Sequence, residues 1–583
     1  MAARLAHRGP DDHGLHCKGS VGLVQTRLSI IGLATGHQPM VSADGDLALA
    51  ANGEVYNYVE LNEELRARGC RYQTDSDSET ILHAYAVHGL DFLPLLRGMY
   101  AFALHDARQG RLILGRDRLG IKPLFYVRLP DRIAFASEIK ALLPILPGRP
   151  EIEPAALRQF LQNQFAGGEE TVVAGVRRVL PGEVLLVGAD LQIERRRYWS
   201  ALDVEPRRVG PEEARAELDA LLHSAMVEHM RSDVPFGLFL SGGVDSAILA
   251  ALLHAHGAGR IRSWSVGYLG TQMPDEIDEA ARVAARFGLD HTPLRLSLSQ
   301  VFARIPHSIW CADELMRDYA SLPTSILAQA AGAEVKVVFS GEGGDEVFAG
   351  YRRYHPHAAE RWIKALIHPG SGGFRSRGQW RRYWARRLFG PALRGAPGND
   401  RAPFLAAWQS TPRAWSDMQR RQHTDLVTAL PDNLLVKTDR MLMGFAVEGR
   451  VPFLDHRLVE FGLSLPDDLK VRRHQGKWLL KRWAEPRLPP GHLERPKRGF
   501  HVPVGDWLKG EVAAVLGRRL MANRGVRDWF DVAAIPALVA ARRSGRGGSR
   551  ELFGLMQFAI WYRLFIEQPG LVPRPDEDPL EWL

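Results

Sequence analysis

The chain has 583 residues, of which 45% are hydrophobic and 24% charged. These values are typical of globular proteins, and the length exceeds that of one ordinary core, so we expect two or three domains. No run of about 18 apolar residues is present, and MAARLAHRGPDD lacks an apolar signal-peptide core. Three cysteines without metal-ligand spacing are too few for a disulfide framework. We therefore expect a cytoplasmic protein without a membrane partner.

The net charge is +8, from 75 basic and 67 acidic residues, and arginine is concentrated in RSRGQWRRYWARRLF at 375–389. Such a balance suits nucleic-acid binding or an enzyme that handles polyanions such as ATP. However, Trp380, Trp384 and Leu388 recur at helical spacing, with arginines on the other faces. We therefore expect a solvated amphipathic helix here and no nucleic-acid partner.

Residues 1–190 have the pattern of an antiparallel β domain with a few helices. GMYAFALHD, ARQG and RLILGRDRLG together predict a hairpin, and RIAFASE predicts a further strand. A segment rich in Arg, Pro and Glu follows. We expect a first domain over 1–190, a linker over 191–213 and a second domain over 214–583.

From residue 214 the pattern changes to alternating strands and helices. Strands are predicted at VPFGLFL, IRSWSV, HTPLRLS and VKVVFS, with the helices DSAILAALLHAHG, DEIDEAARVAARFG and SLPTSILAQAAG between them. This alternation predicts an α/β fold with a doubly wound parallel sheet. After residue 350 the sequence favours a mostly helical region.

Two glycine-rich turns follow strands of this sheet, at the edge where open parallel sheets bind ligands. They are SGGVDS (241–246) and SGEGGDE (340–346). Glycines let backbone N–H groups approach an anion, and a following helix adds its positive N-terminal end. Either turn alone could be a plain loop, and neither is a Walker A motif. Together, each with an aspartate that can hold Mg²⁺ between phosphates, they predict a nucleotide site.

Four motifs extend this interpretation over most of the chain. SGGVDS is similar to the pyrophosphate-binding loop of adenylate-forming ATP-pyrophosphatases. With SGEGGDEVFAGY, KTDRMLMGFAVEGRVPFLDHRLVEF (437–461) and GKWLLKRWAE (476–485), the sequence resembles the glutamine-hydrolysing asparagine synthetase family. The resemblance implies an Ntn-type antiparallel β-sandwich with flanking helices at the N-terminus, a C-terminal ligase domain and a cytoplasmic enzyme. It leaves a homodimer open.

In this family ATP activates the side-chain carboxylate of aspartate as an acyl-adenylate, and ammonia then displaces AMP. The resemblance implies that Glu342 helps to form the adenylate and accepts a proton from ammonia. It also implies that Lys477, on local pattern a plain surface lysine, neutralises phosphate charge. The implied Mg²⁺ ligands are Asp245 and Asp345. The implied ATP-binding residues are Phe239, Ser241, Gly242, Gly243, Asp245, Ser246, Val266, Ser340 and Gly341.

A second group of motifs lies in the first domain. These segments, TRLSII (26–31), ANGEVYN (51–57) and DSDSET (75–80), resemble the glutamine-binding segments of class II amidotransferases. HRGPDDHG (7–14) and GRDRLGIKPLFY (115–126) support the resemblance. It implies that Arg27 pairs with the glutamine α-carboxylate. Asp77 and Glu54 would bind its α-ammonium, and Asn52 with the Gly53 N–H would form an oxyanion hole.

Local rules offer other interpretations of the same residues. Asn52-Gly53 also fits a hairpin turn between alternating apolar residues. Ser76 with Glu79 also fits a capping box that opens a helix. Only their joint occurrence with the other motifs favours a glutamine pocket.

One family feature is missing from the printed sequence. Class II amidotransferases attack glutamine with an N-terminal cysteine, whereas this sequence begins Met1-Ala2-Ala3 and its nearest cysteine, Cys17, lies inside the chain. AARLAHRGPD resembles the end of the helix that follows the cysteine-bearing strand. We therefore favour a start placed downstream of the true one over genuine loss of the glutaminase. The chain as printed is expected to use free ammonia and not to hydrolyse glutamine.

Other functions within the fold stay open. β-Lactam synthetase-like enzymes use the same adenylation to close a ring, but they place a tyrosine at the position of Glu342 and have a decayed glutamine pocket. An amide-forming enzyme or cyclase that acts on a carboxylate other than aspartate is not excluded by the sequence. A catalytically inactive binding protein is disfavoured by the intact acids and lysine of the motifs.

Overall fold

The computed structural model describes residues 1–269, 276–367, 370–376, 378–494 and 502–583. Its N-terminal region contains antiparallel sheets, as predicted. The strands are β1 Asp12–Lys18, β2 Val21–Arg27, β3 Met40–Val41, β4 Leu47–Val55, β5 Gly98–Asp106, β6 Arg111–Arg116, β7 Phe125–Arg128, β8 Ile133–Ala136, β9 Val176–Arg178, β10 Glu183–Gly188 and β11 Ile193–Arg197. A six-stranded sheet has the order β11-β10-β6-β5-β4-β3, and β1–β2 and β8–β7–β9 form smaller sheets. Flanking helices are α1 Tyr58–Ala67, α2 Glu79–His88, α3 Ile139–Leu142 and α4 Pro154–Asn163.

The central strands explain the predicted hairpin. β5 is almost entirely buried and pairs with β6 on one side, which confirms the hairpin around ARQG. On its other side β5 pairs with the whole of β4, from Leu47 to Val55. Asn52 and Gly53 therefore lie inside a strand, and the hairpin-turn interpretation of this dipeptide is wrong. The long pairing with β5 outweighs a local turn preference.

The C-terminal region is built on a five-stranded parallel sheet, as predicted. Its strands are β12 Phe236–Phe239, β13 Arg262–Tyr268, β14 Asp290–Leu296, β15 Val337–Phe339 and β16 Glu448–Arg450, in the order β14-β13-β12-β15-β16. The first four correspond to the predicted strands. β16 was not predicted, because three residues carry no alternation that a sequence pattern can detect.

The helices around and after this sheet confirm the predicted change to helical structure. They are α5 Pro211–His229, α6 Val244–Ala255, α7 Ile277–Phe287, α8 Leu298–Ala303, α9 Ile305–Ala312, α10 Ser321–Gly332, α11 Gly344–Val347, α12 Ala358–Ile367, α13 Arg382–Leu388, α14 Pro391–Gly395, α15 Ala402–Gln409, α16 Asp417–Leu426, α17 Leu435–Met443, α18 His456–Ser464, α19 Asp467–Lys470, α20 Trp478–Ala484, α21 Val504–Trp507, α22 Gly510–Ala522, α23 Arg524–Trp529, α24 Ile535–Arg543 and α25 Ser549–Tyr562. Within the described ranges, none of them combines the length and apolar character that a membrane crossing needs.

The arginine-rich segment contributes α13, whose helix begins at Arg382. Trp384 and Leu388 are buried on its inner face, and Trp380 is buried just before it. The amphipathic pattern therefore reflects packing against the core, as expected. Residue 377 of this segment lies outside the described residues.

The two regions share an apolar core. Leu157 and Phe160 of α4 belong to the same buried cluster as Trp310 of α9 and Trp561 of α25. Tyr56, which follows β4, belongs to a second cluster with residues of β12 and β15. Packing on this scale holds the antiparallel region against the parallel sheet.

The segment expected to be a linker contains structure of its own. β11 pairs with β10 from Glu183–Arg197 to Val187–Ile193, and α5 begins at Pro211. We propose that the first domain extends to Arg197 and that the connection to the second lies between these two elements.

Candidate functional site

A cavity of about 230 Å³ lies beside β2 and β4 in the N-terminal region. It is lined by the whole set predicted to bind glutamine, namely Arg27, Asn52, Gly53, Glu54 and Asp77. They come from three separate segments, so the fold brings together what the sequence only suggested. A few converging polar groups in a concave site are typical of small-molecule binding.

The acids of this cavity are buried close to one another. Asp77 accepts a hydrogen bond from the backbone N–H of Val55 at 2.7 Å. Burial raises the pKa of Asp77 to about 6, and Glu448 adds to the effect by repulsion. Burial and the repulsion of Asp77 also raise the pKa of Glu54 well above its usual range. A ligand ammonium would relieve this accumulation of negative charge.

Glu54 also has a partner that the sequence did not indicate. Its Oε1 lies 3.3 Å from a guanidinium nitrogen of Arg450, at the end of β16. Its Oε2 is buried and has no hydrogen-bond partner among the described residues. One oxygen is thus held by the C-terminal sheet while the other remains for a ligand.

The other predicted residues of the cavity are held in place by the backbone. Arg27 donates hydrogen bonds at 2.9 Å to the carbonyl oxygens of Ile31 and Gly32, and burial lowers its pKa. Gly53 has φ +126°, and a Cβ there would lie 2.0 Å from the carbonyl oxygen of Met99. Only glycine fits this position, which exposes the backbone of β4 to the cavity.

The predicted capping box is absent. The residue that precedes α2 is Ser78, and its side chain makes no capping hydrogen bond. Glu79 instead accepts hydrogen bonds from the backbone N–H groups of Gln73 and Thr74 at 2.8 and 2.7 Å. It stabilises the loop that carries Ser76 and Asp77 to the cavity.

None of the three cysteines lines this cavity. Cys17 is exposed on β1, Cys70 is half-buried after α1, and Cys311 is buried on α9. Burial raises the pKa of the Cys311 thiol to about 12, and a thiol must ionise to act as a nucleophile.

The two glycine-rich turns of the parallel sheet touch each other. They follow β12 and β15, which are hydrogen-bonded neighbours. A Cβ on Gly341 would lie 3.0 Å from the Cβ of Asp245, and one on Gly344 would lie 2.6 Å from its Oδ1. A side chain at either position would press on Asp245, so the two glycines help the second turn to approach the first.

The first turn holds a network of short polar contacts. The hydroxyls of Ser241 and Ser246 lie 3.0 Å apart, and the Ser241 N–H donates to the Ser246 Oγ at 3.1 Å. The Gly242 N–H donates to the Glu276 carboxylate at 3.1 Å, and Gly243 precedes the first residue of α6. A carboxylate of the protein itself thus accepts the hydrogen bond of an N–H group that is predicted to bind pyrophosphate. Its position indicates that the turn accepts anions.

Lys477 connects the two turns. Its ammonium lies 2.5 Å from Asp245 Oδ2 and 2.8 Å from Asp345 Oδ1. Burial opposes its charge, but the two aspartates outweigh that effect and raise its pKa. Lys477 is buried and immediately precedes α20 with φ +57°, so the surface-lysine interpretation is wrong. A Cβ on Gly350 would collide with both Asp345 and Lys477.

Two aspartates that converge on one cation suit Mg²⁺, which binds hard oxygen ligands and takes only one or two carboxylates alongside phosphates. Among the residues described, no three His, Cys, Asp or Glu side chains gather into a metal-binding group. That Asp245 and Asp345 hold Mg²⁺ together with a nucleotide stays a prediction.

The remaining predicted nucleotide residues lie near the same edge. Phe239 is the last residue of β12, and Ser340 directly follows β15. Val266 is buried within β13, which continues to Tyr268. It therefore lies two residues before the end of the strand rather than at it.

Glu342 has an unpredicted partner, Lys437 of α17. The Lys437 ammonium lies 2.7 Å from Glu342 Oε1 and 3.7 Å from Asp318 Oδ2. Burial opposes the charge of Lys437, yet Glu342 and Asp318 outweigh it and raise its pKa. Apart from its place at the start of a motif, Lys437 carries no sequence signal for this pairing, because one lysine on a helix has no distinctive pattern.

An antiparallel domain with a small polar cavity is joined to a parallel sheet with two facing glycine-rich turns, which is the arrangement expected of a two-site carbon–nitrogen ligase. Comparisons with known proteins give the family. The glutamine amidotransferase domain family matches residues 1–199, and the asparagine synthase family matches residues 217–563. The chain belongs to the asparagine synthase family.

Relatives match along almost the whole chain. A protein of Mycobacterium tuberculosis is 34% identical over 98% of this chain and 94% of its own length. Asparagine synthetase (glutamine-hydrolyzing) 1 of Bacillus subtilis is 30% identical over 100% of this chain and 95% of its own length. Amidase chyE of Penicillium rubens is 26% identical over 90% of this chain and 88% of its own length.

Proposed function

We propose that this enzyme converts aspartate to asparagine, activating the side-chain carboxylate with ATP as an acyl-adenylate that ammonia then attacks. The observation that carries the proposal is the meeting of both glycine-rich turns at Lys477, with Glu342 on one of them. The names of the relatives support aspartate as the acceptor.

In the first step a carboxylate oxygen of the acceptor attacks the α-phosphorus of ATP, and the bond between the α- and β-phosphates breaks. Backbone N–H groups of the turn 241–246 and the ammonium of Lys477 face the departing pyrophosphate. Asp245 and Asp345 would hold Mg²⁺, which would neutralise phosphate charge. The acceptor then carries AMP as a good leaving group.

In the second step ammonia attacks the acyl carbon, and AMP leaves. The nitrogen must lose a proton, and Glu342, on the turn that follows β15, is the proposed acceptor. Lys437 holds Glu342 by one oxygen, which leaves the other to accept the proton. Asp318 balances the charge of Lys437 from the other side.

This proposal is tested by pyrophosphate release with a panel of carboxylic acids. We expect release to require ATP, Mg²⁺ and an acceptor together, and aspartate to be the best acceptor with asparagine as the product. Pyrophosphate release with another acid and never with aspartate would leave the adenylation chemistry intact but overturn the choice of acceptor. A relative named as an amidase makes this comparison worthwhile.

The N-terminal cavity is proposed to bind glutamine. Its α-carboxylate would face Arg27 and its α-ammonium would face Asp77 and Glu54, while Asn52 and the Gly53 N–H would face the side-chain amide. The burial of these acids beside one another supports a cationic group at that end of the ligand.

The chain as printed is expected to make the amide from free ammonia and to release no glutamate from glutamine. The reason is that none of its cysteines lines the cavity. Glutamate release and ammonia-dependent synthesis are measured on the same preparation, with Cys17→Ala as the control that should change neither. Glutamate release at a rate matching synthesis would contradict the expectation.

Glutamine binding is expected to weaken as the pH falls below about 6, where Asp77 takes up a proton. A protonated Asp77 cannot attract the α-ammonium, so the Kd should rise by up to ~tenfold per pH unit when one proton must be lost to bind. The Kd for glutamine is measured by calorimetric titration at a series of pH values from 5 to 8. Asp77→Asn should bind weakly at every pH, whereas Asp75→Asn, at an exposed neighbour, should keep the wild-type profile. A flat wild-type profile would contradict the role of Asp77.

A further inference from the structure

A single buried arginine touches both proposed sites. Arg450 is fully buried at the end of β16. Its guanidinium faces Glu54 of the glutamine cavity at 3.3 Å. Its backbone carbonyl accepts a hydrogen bond at 2.9 Å from the N–H of Ser340, the first residue of the second glycine-rich turn. The two sites are therefore linked through one residue.

The position of Arg450 is fixed on every other side. Its Nη1 donates to the carbonyl oxygens of His229 and Arg231 at 2.7 and 2.6 Å, and its Nε donates to Glu448 at 3.0 Å. β16 also pairs with β15 along the residues that lead directly into Ser340. Glu54 and Glu448 both line the cavity, so a ligand there acts on both carboxylates that contact Arg450.

A second connection runs through α17. Arg440 on this helix donates to the carbonyl oxygen of Ser137 at 2.8 Å, and the Ser137 hydroxyl faces the Asn52 amide at 3.4 Å. One helical turn earlier, Lys437 holds Glu342. The same helix thus touches the glutamine cavity and the proposed base.

The charge of a ligand in the cavity decides whether the pairing of Glu54 with Arg450 becomes stronger or weaker. Burial, Asp77 and Glu448 oppose ionisation of Glu54 and raise its pKa. A ligand ammonium between these acids favours the ionised form of Glu54, which strengthens its pairing with Arg450. When the Arg450 side chain is held more tightly, the end of β16 is fixed. The N–H of Ser340, which is hydrogen-bonded to Arg450 at the mouth of the nucleotide site, is then fixed as well.

We propose that Arg450 is a positioning residue that couples the two sites, so that glutamine in the N-terminal cavity tightens ATP binding at the turn 340–346. This inference rests on the proposed function of both sites. Linkage makes the coupling reciprocal: ATP must tighten glutamine binding by the same factor.

The test measures binding of α,β-methylene-ATP with Mg²⁺ by calorimetry, with and without saturating L-glutamine and without an acceptor acid. This analogue resists cleavage between the α- and β-phosphates, so only binding is observed. We expect glutamine to lower its Kd by 5-fold or more, within the ~5–150-fold range usual for coupled sites. The reverse titration should give the same factor.

Arg450→Lys keeps the charge but loses the fork that reaches both Glu54 and Glu448, and should reduce the factor to below 2-fold. The matched control is Arg457→Lys, since Arg457 pairs with Glu228 and Asp455 away from both sites and should keep the full factor. Thermal unfolding verifies that each variant is folded. If Arg450→Lys does not fold, Glu54→Gln provides the same test at higher glutamine concentration.

The possible results distinguish failure of the coupling from failure of the proposed function. Glutamine that binds without changing the nucleotide Kd would overturn the coupling and leave the proposed function intact. Coupling that survives in Arg450→Lys, or in Glu54→Gln, would overturn the role of Arg450. Failure of glutamine to bind at all would overturn the proposed glutamine cavity and this inference with it.

Discussion

Glu342→Gln is expected to lower ammonia-dependent amide synthesis by roughly 100-fold or more, the usual contribution of a general base. Glutamine is nearly isosteric and can still accept a hydrogen bond from Lys437, which lies 2.7 Å from Glu342 Oε1. It cannot take the proton that ammonia loses. Steady-state rates of amide formation with saturating ammonia measure the effect.

The control for this variant is Glu334→Gln, at an exposed glutamate before β15 that pairs with Arg262. It should retain full synthesis. The Glu342→Gln enzyme should also bind nucleotide normally, because Glu342 is not among the residues proposed to hold ATP. Unchanged synthesis in Glu342→Gln would refute its role as the base.

Lys477→Met is expected to lower kcat for pyrophosphate release by ~10²–10³-fold, the scale measured when one group that stabilises transition-state charge is removed. Methionine keeps most of the length of the lysine side chain in a buried position but leaves Asp245 and Asp345 without the ammonium that lies 2.5 and 2.8 Å away. The developing charge on pyrophosphate would then lack a fixed cation. Acceptor-dependent pyrophosphate release in a coupled assay measures the loss.

Lys481→Met is the matched control, since Lys481 lies one turn further along the same helix. It should release pyrophosphate at the wild-type rate. Equal rates in Lys477→Met and the wild type would show that the bridge between the two turns is structural only.

The sequence predicted the elements whose information is local. The two glycine-rich turns were recognisable because glycine, an acid and a following helix lie within six or seven residues of one another. Their place at one edge of the sheet also followed, because parallel strands bring their carboxyl ends to that edge. The structure confirms this through the close approach of Gly341 and Gly344 to Asp245.

Local rules failed where tertiary packing outweighed them. Asn52-Gly53 has the composition of a hairpin turn, yet it lies within a strand paired over nine residues. The glycine is required there by the approach of the Met99 carbonyl, not by a turn. Sequence patterns cannot detect a constraint that comes from a neighbouring strand.

The partners of the site residues could not be predicted at all. Lys437 and Arg450 lie in a motif that resembles the family, but no spacing rule places them against Glu342 and Glu54. Such contacts depend on how α17 and β16 sit between the two regions. Only the folded chain reveals that both proposed sites contact the segment 437–461.

The central claim is that the C-terminal region activates a carboxylate by transferring AMP to it. The most direct measurement uses aspartate labelled with ¹⁸O in its side-chain carboxylate, together with ATP, Mg²⁺ and ammonia. The attacking carboxylate oxygen stays with phosphorus when ammonia displaces AMP. Transfer of AMP to the carboxylate predicts one ¹⁸O atom in the AMP formed and unlabelled pyrophosphate. Formation of ADP with ¹⁸O in inorganic phosphate, or amide formation with no label in AMP, would contradict it.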